Sequence, residues 1–166
     1  MIIPADYAWS DIDIDIEPNV SINNPKSVDY NDITKAYNLL KKDKSMLFIG
    51  GRFLNEECLK LASHIASATN CRLVTDTFIP KIRRGAGLPI IEQVPYFAEM
   101  AELFLADTQS IVFIGSRPPV SFFAYPDKKS FLSPDSAELF ELCSNDDDGI
   151  AALEELKDLS GSTKID

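Results

Sequence analysis

The sequence predicts an α/β domain, a parallel sheet with helices on both faces. Three observations predict it. The runs Met46–Ile49 and Ser110–Ile114 are short, almost wholly apolar and each stopped by glycine, as strands covered on both faces are. Stretches with apolar residues at helical spacing alternate with these runs. The chain has 166 residues, 45% of them hydrophobic and 25% charged, which is one globular domain's worth. A chain of that length buries roughly two thirds of its unfolded surface and needs no disulfide or metal to fold.

Taken in order, Met1–Ile3 before Pro4 reads as the end of a strand. Residues 10–29 alternate Asp and Ile through Asp11–Ile16 and add Pro18, Asn23, Asn24 and Pro25, a composition that favours an extended linker. Ile33, Ala36, Tyr37 and Leu40 mark a helix with Asn31 placed to cap it and Lys41, Lys42 and Lys44 at its cation-favouring end. Met46–Ile49 is a strand ended by Gly50-Gly51. Leu54, Cys58, Leu61, Ile65 and Ala68 mark the next helix, and Arg72–Thr75 the next strand. Lys81–Pro89 is a loop. Pro95 suits the first turn of a helix whose apolar face is Phe97, Met100, Ala101 and Phe104. Ser110–Ile114 is a strand ended by Gly115, and Ser116–Pro134, with its prolines, is irregular. Glu138–Cys143 is the last strand. Asp146–Asp148 cap a helix that uses Ala152, Leu153, Leu156 and Leu159, and Ser160–Asp166 begins another linker.

Charge and cysteine usage exclude several function classes. The net charge is −10, and it sits at the ends: residues 1–32 carry −6, residues 33–144 carry +1 and residues 145–166 carry −5. Acidic ends without a basic stripe repel phosphate backbones and anionic lipid, so neither nucleic acid nor membrane is expected as a partner. No apolar run approaches the ~20 residues of a membrane span, and no secretory leader opens the chain. Cys58, Cys71 and Cys143 are odd in number, far apart and accompanied by one histidine, His64. That pattern argues against a disulfide framework and a zinc site, and for buried thiols in a reducing cytoplasm.

Open α/β sheets bind ligands at the carboxyl ends of their strands. Gly50-Gly51-Arg52 lies at one such end, directly before a helix, where backbone N–H groups and the helix dipole favour an anion. A GxGxxG fingerprint is absent, and a tight strand-to-helix turn is the competing reading. Gly115-Ser116-Arg117 repeats the pattern after the other central strand, with Arg117 able to pair bidentately with a phosphate or carboxylate, or merely to bridge loop acids. Lys81, Arg83 and Arg84 beside Gly85 and Gly87 form a third positive spot, or a solvated loop. His64 lies with Glu57, Lys60 and Ser67 on a polar helix face. No nucleophile motif, carboxylate dyad or metal-ligand spacing is present, so no catalytic residue is expected.

Several motifs together resemble a known family. Ile3-Pro4-Ala5-Asp6-Tyr7-Ala8-Trp9 is similar to the end of the pyrimidine-binding domain in thiamine-diphosphate enzymes of the acetolactate synthase and benzoylformate decarboxylase superfamily. Gly50–Arg52, Thr77-Phe78, Arg84–Gly87, Pro95–Phe97 and the run Pro119–Pro126 resemble the central domain of its acetolactate synthase large-subunit-like branch. The resemblance implies a six-stranded, Rossmann-like (NAD/FAD-binding-domain-like) parallel sheet. It divides the chain into the end of a preceding domain (1–9), a linker (10–29), the central domain (30–160) and the start of a linker to a C-terminal domain (161–166). It implies thiamine diphosphate and Mg2+ in the parent enzyme, held by flanking domains of two subunits and not by this segment, in a homodimer or homotetramer. FAD or ADP occupies this domain in some relatives; here Pro118, Pro119 and two phenylalanines follow Arg117 where FAD-holding synthases place aspartates. The leading expectation is a structural, non-catalytic middle domain, with Gly50, Gly51, Arg52, Gly115, Ser116 and Arg117 as its nucleotide-binding candidates. The alternatives are an autonomous dinucleotide- or acyl-CoA-binding module and a pure interaction domain.

Overall fold

A computed structural model describes residues 2–11, 13, 21, 24–123, 126 and 128–161. Its elements are α1 (Ala5–Trp9), α2 (Tyr30–Leu40), β1 (Ser45–Ile49), a 3-10 turn (Gly51–Phe53), α3 (Glu56–Thr69), β2 (Arg72–Thr75), β3 (Glu92–Gln93), α4 (Ala98–Leu105), β4 (Ser110–Ile114), β5 (Glu138–Cys143) and α5 (Gly149–Leu159). Every strand pairing is parallel, and the order is β3-β2-β1-β4-β5. The α/β class holds, with five strands among the described residues where six are expected.

Period-2 alternation sends the strand side chains into two cores. Leu47, Ile49, Leu73, Val112 and Ile114 face α2, α3 and α5, through Ile33, Ala36, Cys58, Ala62, Ile65, Leu153 and Leu156 among others. Met46, Phe48, Val74, Ile111 and Phe113 face α4, through Ala98, Ala101 and Leu105. The Phe48 and Phe113 rings meet across β1 and β4 with centroids 5.3 Å apart. Five consecutive buried residues in both β1 and β4 explain why these runs carry no polar residue beyond Ser45 and Ser110. Those two hydroxyls donate to the end of α2, to the carbonyls of Leu40 (2.6 Å) and Leu39 (2.7 Å).

Several local expectations are corrected. Ile2 and Ile3 are not in a strand; they are exposed and lead through Pro4 into the short helix α1. The cap of α2 is Asp29, whose carboxylate accepts from the Asn31 N–H at 2.7 Å. Asn31 cannot cap because it is already within the helix. Pro95 lies three residues before α4, and that helix turns Ala98, Ala101 and Leu105 inward while Phe97 and Met100 stay exposed. Ala101 and the half-buried Phe104 keep the expected face against the Phe48–Phe113 layer. On α3, Cys58 and Ile65 are buried as expected, but Ala68 is exposed and Leu59 and Ala62 complete the face. Strand β3 (Glu92–Gln93) has no sequence signal; it exists through its pairing with Val74 and Thr75.

Of residues 10–29, Asp11 and Asp13 lie outside any helix, and the rest of Asp11–Ile16 falls outside the described residues. The end of this segment is tied to the domain: the Lys26 N–H donates to the Asp146 carbonyl (3.2 Å), and the Asp148 N–H donates to the Lys26 carbonyl (2.7 Å). Most of Ser160–Asp166 also lies outside the described residues. Among the described residues no helix is long and apolar enough to cross a membrane.

The capping assignment is testable. Asp29→Ala should cost about 1 kcal/mol in a urea melt, the usual loss for an N-cap, whereas Asn31→Ala should stay within about 0.5 kcal/mol. The reverse ranking would return the cap to Asn31.

Candidate functional site

The strand order changes direction at β1, so β1 and β4 splay their outgoing connections to opposite sides, the place where such sheets open a crevice. Gly50 and Gly115-Ser116 meet there. The Gly50 N–H donates to the Ile114 carbonyl at 2.9 Å. A Cβ on Gly50 would lie 2.8 Å from Ser116 Cβ and 2.9 Å from Asp76 Oδ2. The Ser116 hydroxyl donates to that Asp76 carboxylate. Asp76, the first residue after β2, therefore closes over the glycine turn from the side. Burial pushes its carboxyl above the usual range, and the Ser116 hydroxyl offsets part of that rise.

Gly51 and Arg52 face the β5–α5 loop instead. Gly51 holds φ +56°, and a Cβ there would sit 2.1 Å from Asn145 Oδ1. The Arg52 N–H donates to the same Asn145 oxygen at 3.2 Å, and Arg52 Nη2 donates to the Asp147 carbonyl at 2.7 Å. Asn145 Nδ2 in turn donates to the Gly115 carbonyl at 3.2 Å, joining the two halves. Of the six candidate residues, then, Gly50, Gly115 and Ser116 converge; Gly51 and Arg52 pair with the β5–α5 loop; Arg117 is exposed.

Arg117 stands on the wall of a cleft of about 210 Å³ with Asp76, Thr77, Phe78, Pro118, Pro119, Val120, Phe122 and Leu132. Beside it the rings of Phe78, Tyr96, Phe97, Phe122 and Phe123 form a connected cluster, with centroid separations from 4.5 Å (Phe78–Phe122) to 6.3 Å. All five rings are exposed. The basic loop is elsewhere: Arg84, Gly85, Leu88 and Ile90 line a separate depression, and nothing lies within 4 Å of a Cβ at Gly85 or Gly87.

Three members of this edge carry little signal in the sequence. Asp76 is a lone acid after an apolar strand, and its only signal is its place at a strand's carboxyl end. Phe78 and Tyr96 are distant in sequence from Phe122 and join it only in the fold.

Among the described residues no three His, Cys, Asp or Glu side chains converge as metal ligands. His64 is half-buried on α3. All three cysteines are buried free thiols; burial, then Asp147 and Cys58, push Cys143 up to about 12.

Three measurements probe this edge. Gly115 holds φ +63°, and a Cβ there would lie 2.4 Å from the Phe53 ring. Gly115→Ala should therefore cost about 2–4 kcal/mol, overpacking and backbone strain together; a loss below 1 kcal/mol would show that the ring yields freely. For Asp76, the native state binds more protons than the unfolded chain between the ordinary carboxylate value and the raised one, so its contribution falls as pH rises through that window. Asp76→Asn should melt higher than the parent at pH 7 and lose that advantage below about pH 4. Equal melting at both values would remove the carboxyl from the balance. Finally, iodoacetamide at pH 7.5 should label no cysteine in the native chain and all three in urea.

No family model matches the chain. The protein IlvX of Mycobacterium tuberculosis, which carries the name of an acetolactate synthase large subunit, is 34% identical over 143 residues, covering 86% of this chain and 27% of the relative. Two solved structures share the fold. One, of a Mycobacterium smegmatis protein described as a thiamin diphosphate-dependent enzyme, superposes with TM-score 0.60 at 15% identity over 84% of this chain and 29% of its own. The other, the thiamine diphosphate-dependent 4-hydroxybenzoylformate decarboxylase of Rhodococcus jostii RHA1, gives TM-score 0.56 at 16% identity over 89% of this chain and 30% of its own. The chain thus spans less than a third of the length of each. The sequence match makes this chain similar to about a quarter of IlvX, and the two structures show that its α/β fold is that of one segment of larger enzymes.

Proposed function

We propose that this chain works as the central, non-catalytic domain of a thiamine-diphosphate-dependent carboligase or decarboxylase. One observation carries the reading: the match to IlvX covers most of this chain but only 27% of that relative. On this reading thiamine diphosphate and Mg2+ are held by flanking domains, two subunits complete the enzyme as a cytoplasmic homodimer or homotetramer, and substrate choice lies outside residues 30–160. The domain's own task is to set the spacing of its neighbours.

A second reading, FAD or ADP across the ends of β1 and β4, draws on Gly50, Gly115, Ser116 and Arg117. The Asp76 carboxyl weighs against it, because it lies where a diphosphate would approach Gly50. The Arg52 amide is also already bonded to Asn145. These contacts favour the structural role.

The 166-residue chain, supplied with thiamine diphosphate and Mg2+, should not turn over pyruvate or benzoylformate. Turnover would sink the assignment. In calorimetry ADP and FAD should give no binding tighter than about 1 mM, a free energy of about −4 kcal/mol. Tighter binding that Arg117→Ala weakens tenfold would establish the nucleotide reading instead.

A further inference from the structure

The five-ring cluster is as large as the biggest apolar patch a monomer typically carries, a size that is often functional. Phe78 is 60% exposed, Tyr96 46%, Phe97 61%, Phe122 46% and Phe123 51%. At ~150–250 Å² for a whole aromatic side chain, these fractions leave on the order of 500 Å² of ring surface in water. Monomer surfaces seldom carry a contiguous apolar patch above ~300–600 Å². Val120 adjoins the rings, and Met100 and Leu103 continue from Phe97 along α4 at a spacing of three, all exposed. With them the area approaches the ~800 Å² that one partner contributes to a standard interface.

Resting on the proposed function, we infer that this aromatic face is the seat of a neighbouring domain of the same polypeptide, the domain reached through residues 10–29. Three observations select that occupant. The relatives are more than three times as long as the matched segment, so they carry chain enough to cover the face. The incoming segment is tied to the carboxyl edge of the sheet by the Lys26 bonds to Asp146 and Asp148, just past β5. The rings lie on that same edge, because Phe78 follows β2, Tyr96 and Phe97 follow β3, and Phe122 and Phe123 follow β4. Residues 10–25 can span up to ~50 Å when extended, and five strands at ~4.8 Å spacing are crossed in less than half of that. The surface that fits is apolar at its centre, with an acidic group opposite Arg117, the cation flanking Phe78, Val120 and Phe122.

Hydroxyl-radical footprinting of the 166-residue chain and of the natural polypeptide that contains it tests the inference. Tyr96, Phe97, Phe122 and Phe123 should label at least tenfold more slowly in the longer protein, while Tyr30, exposed on α2, labels equally in both. Equal labelling of the four rings overturns the inference, as does a natural reading frame that begins at residue 1. A dimer of the 166-residue chain that Phe97→Asp dissociates, seen by light scattering, also overturns it and gives the face to a second copy. The two claims fail separately: unprotected rings with an inactive fragment sink the docking surface alone, whereas turnover by the fragment sinks the central-domain reading whatever the rings do.

Discussion

The ring of Phe53 stands at the junction on which the carboxyl edge depends. It lies in the first turn after β1, beneath both Gly115 and Gly149, and a Cβ at either glycine would come within 2.4 Å of it. One side chain thus fixes the approach of three connections: the exit of β1, the exit of β4 and the start of α5. The glycines serve a packed hydrocarbon here, whereas in dinucleotide-binding folds they leave room for a pyrophosphate. Around the ring, Asn145 bonds Arg52 on one side and Gly115 on the other, so polar and apolar contacts enforce the same geometry. Local turn chemistry, close packing and hydrogen bonding agree, which is the condition for one well-defined arrangement.

That junction explains why an edge built like a nucleotide site turns rings outward and leaves no open glycine pocket. A side chain added at Gly50 would meet Ser116 and Asp76, and Arg52 is spent on the β5–α5 loop. The groups left facing outward are rings, prolines and Arg117. A fold's ligand-binding edge is a position, not a function, and the residues that occupy it decide its use.

How far the sequence reveals this varies with the physics of each element. Strands β1 and β4 are legible because burial on two faces demands nearly continuous apolar residues, while β2 and β5 show as shorter apolar runs bounded by polar residues. Strand β3 is not legible: Glu92 and Gln93 are exposed, and only their pairing with Val74 and Thr75 makes them a strand. The face of α4 is misjudged at Phe97 and Met100, where bulk suggests burial but both side chains are exposed, while Ala101 and Phe104 pack as their spacing suggests. At the candidate site the glycine turns and arginines are visible as motifs, but their pairing with Asn145 and Asp147 depends on residues some 90 positions away. Asp76 carries no motif at all. Exposure of Phe122 and Phe123 follows from the two prolines before them, which remove N–H donors and keep the run out of the sheet. The partners Phe78 and Tyr96 need the fold.

The two borders of the sheet are defended differently. Strand β3 offers only two residues, and its Glu92 is gripped by the Arg72 guanidinium in a paired contact of 2.9 and 2.6 Å, so a foreign strand finds almost no ladder to extend. Strand β5 is six residues long and has no outer neighbour among the described residues; its protection is electrostatic, from Glu138 and Glu141, with Lys35 lying over the Phe140 ring. Acid or high salt weakens such protection and leaves a short border untouched. Unwanted strand addition, when conditions permit it, therefore has one direction open to it, outward from β5.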